Sequence, residues 1–202
     1  MKRKTQRNRG TKEQGAPSEA QPILDQRGRE IQPYGTLVYY PIDVNEKAKI
    51  ENVAALNQLL SDTMALRDMY KKHHWQVSGP TFYQLHLLFD KHYEEQVRLM
   101  DLIAERVQTL GGIAVAMPHD VAEMTRIERP PRGREQVPVQ LSRLIEAHTQ
   151  VIKQARAAAR LAVKNGDDTT NNLLTSDVLP ANEMQVWFLS EHLVDTPLVK
   201  AR

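Results

Sequence analysis

The chain reads as all-α, a bundle of four long helices with a short extra helix in the crossover between the second and third. Three observations predict this. Apolar residues recur at spacings of three and four over four long stretches, the spacing that gathers them on one side of a 3.6-residue helix. Gly79-Pro80, Gly111-Gly112 and Asn165-Gly166 follow the first three stretches, and such pairs end helices. Between the second and third, residues 111–138 are rich in proline, glycine and charge and too long for a tight turn.

Residues 1–20 carry almost no large apolar side chain and are expected to be disordered, because they have little to offset the entropy of ordering. From Pro22 to Asp43, prolines and glycines break up one short apolar run, Leu37 to Ile42, which suits an extended arm lying on the body. Helix A is announced by Ile50, Val53, Leu56, Leu60 and Met64 and should continue to about Val77. Thr81 can cap helix B, whose apolar surface comes from Leu85, Leu88, Phe89, Met100, Ile103, Val107 and Leu110. A short helix is expected in the crossover around Asp120 to Ile127, and helix C from about Val139 to Lys164. Helix D should run from near Asp168 to about Val194, kinked or divided at Pro180, whose ring clashes with the preceding turn and which lacks a donor. The expected organisation is a disordered basic tail and extended arm over 1–48, the helical domain over 49–196 and a short tail over 197–202. Four long helices with this crossover make a ferritin-like four-helix bundle rather than a series of hairpins.

With 202 residues and 41% hydrophobic content, the chain can bury one substantial core. Its formal charge of +2 is unevenly placed: six of the 27 bases lie in residues 1–12 with no acid, leaving 21 bases against 25 acids in the rest. There is no cysteine, which excludes disulfides and thiolate metal sites. No stretch resembles a membrane span of about 20 residues, so a cytoplasmic protein without membrane contact is expected.

His86, Asp90, Asp101 and Glu105 fall on one stripe of helix B, at roughly 0°, 40°, 60° and 100° around its axis. His74-Trp75 lies just upstream. Helical rise separates Asp90 from Asp101 by about 16 Å and His86 from Glu105 by about 28 Å, whereas metal-ligand bonds are about 2 Å long. One helix cannot close such a site. If two copies pack antiparallel about a twofold axis near residues 95 and 96, Asp101 of one lies opposite Asp90 of the other, and Glu105 opposite His86, which creates two equivalent sites. Imidazole and carboxylate without thiolate suit iron, zinc or manganese, and open coordination positions suit redox-active iron. No His-Glu-x-x-His run points to a zinc hydrolase, and no Glu-x-x-His supports a site inside one subunit's bundle. Singly, each of these residues is better explained as a solvated or paired surface group, and only their spacing favours a ligand role.

The stretch His74-Trp75-Gln76-Val77-Ser78-Gly79-Pro80-Thr81-Phe82, followed by Leu85-His86, Phe89-Asp90, Tyr93-Glu94-Glu95, Asp101, Ala104-Glu105-Arg106 and Leu110-Gly111-Gly112, closely resembles the ferroxidase signature of the Dps proteins, the miniferritins. The resemblance extends over roughly residues 50–196, with Trp187-Phe188-Leu189 late on helix D. It implies a di-iron centre in which His74, His86 and Asp90 act from one subunit and Asp101 and Glu105 from its twofold mate. Glu105 would bridge or anchor, His86 and Asp90 would fix the first iron, and His74 the second. It further implies a hollow homo-dodecamer, held by twofold and threefold contacts, that oxidises iron(II), preferably with hydrogen peroxide, and stores ferric mineral. Trp75 would either intercept stray oxidising equivalents or serve as an aromatic spanning the interface. Glu94 and Glu95 would line the cavity or form a solvated face, while Asp167, Asp168 and Asp177 would flank an acidic pore or cap helix D.

The resemblance also raises DNA binding. Lys2, Arg3, Lys4, Arg7, Arg9 and Lys12 form a basic run that, repeated on every copy, would hold duplex without sequence preference and place the particle on the nucleoid. The same run could be a solvated extension. The alternative function is a nucleoid-compacting structural particle with a non-catalytic metal site.

Overall fold

Asn45 starts the bundle by accepting the Ala48 amide on its side chain at 2.9 Å, and α1 runs Glu46–Gln76 behind this cap. The computed structural model describes residues 30–195. The basic run at residues 2–12 and the tail at 197–202 lie outside the described residues. Helix α2 spans Phe82–Thr109, α3 Pro118–Met124, α4 Val137–Lys164, α5 Asp168–Leu173 and α6 Leu179–Glu191. No strand occurs among the described residues. None of the described helices is long and apolar enough to cross a membrane.

Helix α1 packs on α2 and α4, and α4 packs on α6. The core between them contains Leu56, Leu60, Leu85, Phe89, Leu99, Ile103, Leu141 and Leu144, all fully buried. Each such side chain contributes about 1.5–3 kcal/mol of burial free energy.

Sequence periodicity misplaces the first turn of α1. Ile50, expected on the apolar stripe, is 54% exposed. Beside Ala48 and Val53, two of the buried positions there are polar: Lys49 donates to the Tyr40 carbonyl at 2.8 Å and Asn52 to Asp167 Oδ2 at 2.8 Å. Thr81 stands before α2 but makes no side-chain cap bond. Instead the Phe82 amide donates to the Gly79 carbonyl at 3.0 Å, closing the turn by main chain alone. Helix α4 begins two residues before Val139, with Pro138 in its first turn, where a missing donor costs nothing.

Pro180 acts through the turn before it. The fourth helical stretch divides into α5, a π turn over Leu174–Val178, and α6. The Leu179 amide reaches back five residues to the Leu174 carbonyl, so the widened turn accommodates the proline without breaking the rod.

The crossover is fastened to the polar side of α1. Asn57 donates to Ile113 O and accepts from Val115 N, both at 2.9 Å. Asp62 Oδ1 accepts from Thr125 Oγ1 at 2.7 Å and from the Arg126 amide at 2.6 Å. Near the start of α1 Asp167, 1% exposed, joins three helices. It takes Arg106 Nη2 at 2.6 Å, Asn52 Nδ2 at 2.8 Å and the Thr170 amide at 2.9 Å. Between a turn at Tyr34-Gly35 and a bend at Ile42-Asp43 the chain has neither helix nor strand, and there the Val38 amide donates to the Gly111 carbonyl at 2.8 Å. Gly111 has φ +89°, and a Cβ there would lie 2.0 Å from the Val38 carbonyl oxygen.

Candidate metal centre

His74 lies in the last turn of α1 and His86 near the start of α2, so the Gly79 turn folds the two helices antiparallel and brings the imidazoles face to face. Their ring centroids are 3.7 Å apart with an interplanar angle of 21°. Each ring bonds the other residue's main chain: His74 Nδ1 to His86 O at 2.8 Å, and His86 Nδ1 to His74 O at 3.0 Å. A carbonyl oxygen only accepts, so both Nδ1 atoms carry the proton. In the neutral rings each Nε2 then keeps a bare lone pair, the atom a metal ion takes, and the carbonyl fixes the ring's orientation. The donor set therefore fits a borderline or hard divalent cation.

Asp90 sits one turn along α2 from His86, with Oδ1 3.9 Å from His74 Nδ1. Its carboxylate is engaged by Lys71 Nζ, and the Lys71 ammonium also stands 4.3 Å from the centre of the Tyr93 ring. The Lys71 hydrogen bond holds the Asp90 carboxyl below its ordinary value, helped by the charges of Lys71, His74 and His86. Nothing in the metal-ligand pattern signalled Lys71. The available clue was its place one turn before His74, on the same face of helix A.

Of the five expected ligands, one chain brings His74, His86 and Asp90 together and leaves Asp101 and Glu105 apart. Those two side chains lie exposed further along α2, with no hydrogen bond or ion pair to another described residue. Among the described residues no group of three His, Asp or Glu side chains is placed to hold a metal ion. Trp75 is 71% exposed and so belongs to no core of this chain. Glu94 is exposed, whereas Glu95 accepts from Gln185 Nε2 at 2.6 Å. Asp167 is a buried cap, which removes it as a pore residue, and Asp177 pairs with Arg98 at 3.1 Å. Lys2, Arg3, Lys4, Arg7, Arg9 and Lys12 lie outside the described residues.

A family model described as a ferritin-like domain matches residues 53–199. A DNA protection during starvation protein of Agrobacterium fabrum is 30% identical over 151 residues, 75% of this chain and 93% of that one. The solved structure of DpsC from Streptomyces coelicolor is 52% identical with a TM-score of 0.84, covering 85% of this chain and 100% of that chain. An archaeal Dps homologue from Halobacterium salinarum is 26% identical with a TM-score of 0.81, covering 88% and 97%. Bundle, crossover and matched length define the class as ferritin-like. Within that class the chain belongs to the Dps family.

Proposed function

We propose that this protein is a Dps-type ferroxidase and iron store: iron(II) is the substrate, hydrogen peroxide the preferred oxidant, and ferric mineral in a hollow dodecamer the product. The observation that carries the reading is the crossed pair of imidazoles beside Asp90, with two Nε2 lone pairs available and too few carboxylates in one chain to complete a site. Asp101 and Glu105 of the partner subunit supply the missing oxygens when two α2 helices meet antiparallel about a twofold axis. His86 and Asp90 receive the first iron and His74 the second, with the partner subunit's Glu105 shared between them. Two iron(II) ions give one electron each to the peroxide, which leaves as two waters after taking up two protons. Hard carboxylate oxygens favour the iron(III) product.

Lys71 sets the order of events. Iron must displace its ammonium from Asp90, so loading releases a cation from the site before oxidation begins. The same contact favours a second reading, a nucleoid-compacting particle in which Lys71 keeps the metal site non-catalytic. In either case the basic residues Lys2, Arg3, Lys4, Arg7, Arg9 and Lys12 bind duplex through phosphates in the cytoplasm, twelve copies to a particle. Removing residues 1–12 should abolish gel retardation at low salt, and unchanged retardation would discard the tail as the DNA contact.

Peroxide-driven oxidation of added iron(II), followed optically, tests the first reading. It should collapse in Asp90→Ala and in Glu105→Ala. Particles reassembled from an equal mixture of the two variants should regain about a quarter of the wild-type sites, because half of the dimers are mixed and each mixed dimer has one intact site. Full activity in both single variants sinks the centre, and no recovery on mixing sinks its division between subunits.

A further inference from the structure

The middle of the bundle holds a chain of polar groups that the metal centre does not use. Tyr70 of α1, His92 and Gln96 of α2, His148 of α4 and Asn182 of α6 are each at most 2% exposed. Their hydrogen bonds have a definite direction. Asn182 Nδ2 donates to the Val178 carbonyl at 2.7 Å, which turns Asn182 Oδ1 toward His148 as an acceptor. His148 Nδ1 must therefore donate to it, at 2.8 Å, and His148 Nε2 is left as a bare base. That nitrogen lies 2.5 Å from the Tyr70 hydroxyl, which donates to it. The phenol oxygen in turn accepts from His92 Nδ1 at 3.1 Å.

This geometry lies close to the iron chemistry. Tyr70 is one helical turn before His74, roughly 6 Å of rise. Its ring packs on Phe89, centroids 6.1 Å apart, and Phe89 adjoins Asp90. We propose that Tyr70 and His148 form a buried redox pair, which supplies one electron to peroxide at a metal centre holding a single iron(II) and keeps the phenolic proton on His148 Nε2.

Peroxide needs two electrons to break its O–O bond without releasing a hydroxyl radical. One comes from iron(II), which becomes iron(III), and one from Tyr70. The two oxygens leave as hydroxide, the tyrosine becomes a neutral radical, and its proton takes the lone pair of His148 Nε2, giving an imidazolium whose Nδ1–H is already held by Asn182. The next iron(II) returns an electron to the radical, the proton moves back, and the pair is reset. Net consumption is two iron(II) per peroxide, so iron delivered one ion at a time follows the same stoichiometry as iron bound in pairs. Burial and the Glu95 charge push the Tyr70 phenol well above its ordinary value, so it enters the reaction protonated and requires a base. Burial lowers His148 to about 4, which leaves that base free, and an oxidised phenol is acidic enough to protonate it.

The proposal rests on the ferroxidase reading, and one experiment separates the two. Assembled particles carrying ring-deuterated tyrosine are mixed with less than one iron(II) per metal centre and excess peroxide, frozen within milliseconds, and assayed for iron(III) and for radicals by electron paramagnetic resonance. A tyrosyl signal narrowed by deuteration should appear with the iron(III), be lost in Tyr70→Phe, and be lost or much reduced in His148→Gln. In the wild type at high field, the largest g value should be lowered as expected for a radical oxygen bonded to a cationic donor, a readout that needs no variant to fold. Iron left unoxidised defeats the ferroxidase reading. Iron oxidised without a tyrosyl signal, with a signal that survives Tyr70→Phe, or with a g value of an unbonded oxygen defeats the redox pair alone.

Discussion

Lys71 occupies a carboxylate of the proposed metal centre. Its ion pair with Asp90 is partly exposed, with 27% and 39% of the two side chains accessible, so it is worth about 1 kcal/mol at most. Lys71→Met keeps an unbranched apolar side chain and removes the competing charge, together with its cation contact to Tyr93. Iron(II), or cobalt(II) as its optical surrogate, should then bind up to about fivefold more tightly, as measured by titration. Asp167 is the opposite case, a carboxylate with a structural task. Asp167→Ala leaves the Arg106 guanidinium, 12% exposed, without its partner and should lower unfolding free energy by about 3–5 kcal/mol. Asp167→Asn retains an acceptor for Thr170 and should lose less in the same denaturant titration.

At the scale of elements, the arm and the end of α2 are matched by a residue without a side chain. Gly111→Ala would place a methyl group against the Val38 carbonyl and force a left-handed backbone on alanine. The Val38 amide should lose its acceptor and exchange hydrogen faster, with a drop of about 1 kcal/mol or more in stability. The four rods, the crossover and the disturbance at Pro180 were legible in the sequence because they depend on local periodicity and on residues with restricted dihedrals. The π turn was not, since proline only demands relief and the surrounding packing chooses its form. Ile50 misled because spacing reports which residues share a face and says nothing of what that face meets. Near the start of α1 the Ile50 side faces outward, and the opposite side carries Asn52 into a polar cluster with Asp167 and Asn165.

Over the whole molecule, stability is linked to pH through histidines buried in neutral form. Burial lowers His148 from 6.5 to about 4, and the same cause lowers His73 to about 4 and His92 to about 3. Between those values and 6.5 the unfolded chain binds more protons than the folded one. Stability should therefore be complete above about pH 6.5 and fall toward pH 4, with each group contributing at most about 1.4 kcal/mol per pH unit. Denaturant midpoints at pH 7.5, 5.5 and 4.5 should trace this loss, with a shallower slope in His148→Gln. His86 and Asp90 were legible as one face of helix B from their spacing, whereas His74 joined them only through the resemblance to the Dps signature. The Tyr70, His148 and Asn182 chain was not, because each member comes from a separate rod and only the packed bundle sets their register.

The reciprocal bonds between His74 and His86 narrow what can replace either ring. His74 O is one of the last four carbonyls of α1, which have no amide of their own helix to accept, so the His86 side chain finishes that helix end. A carboxylate at position 86 could hold iron but would have no proton to give, while an amide could donate but would make a poor ligand. Imidazole meets both demands through two different nitrogens. Drift at either position would therefore loosen the joint between α1 and α2 as well as the proposed hold on iron.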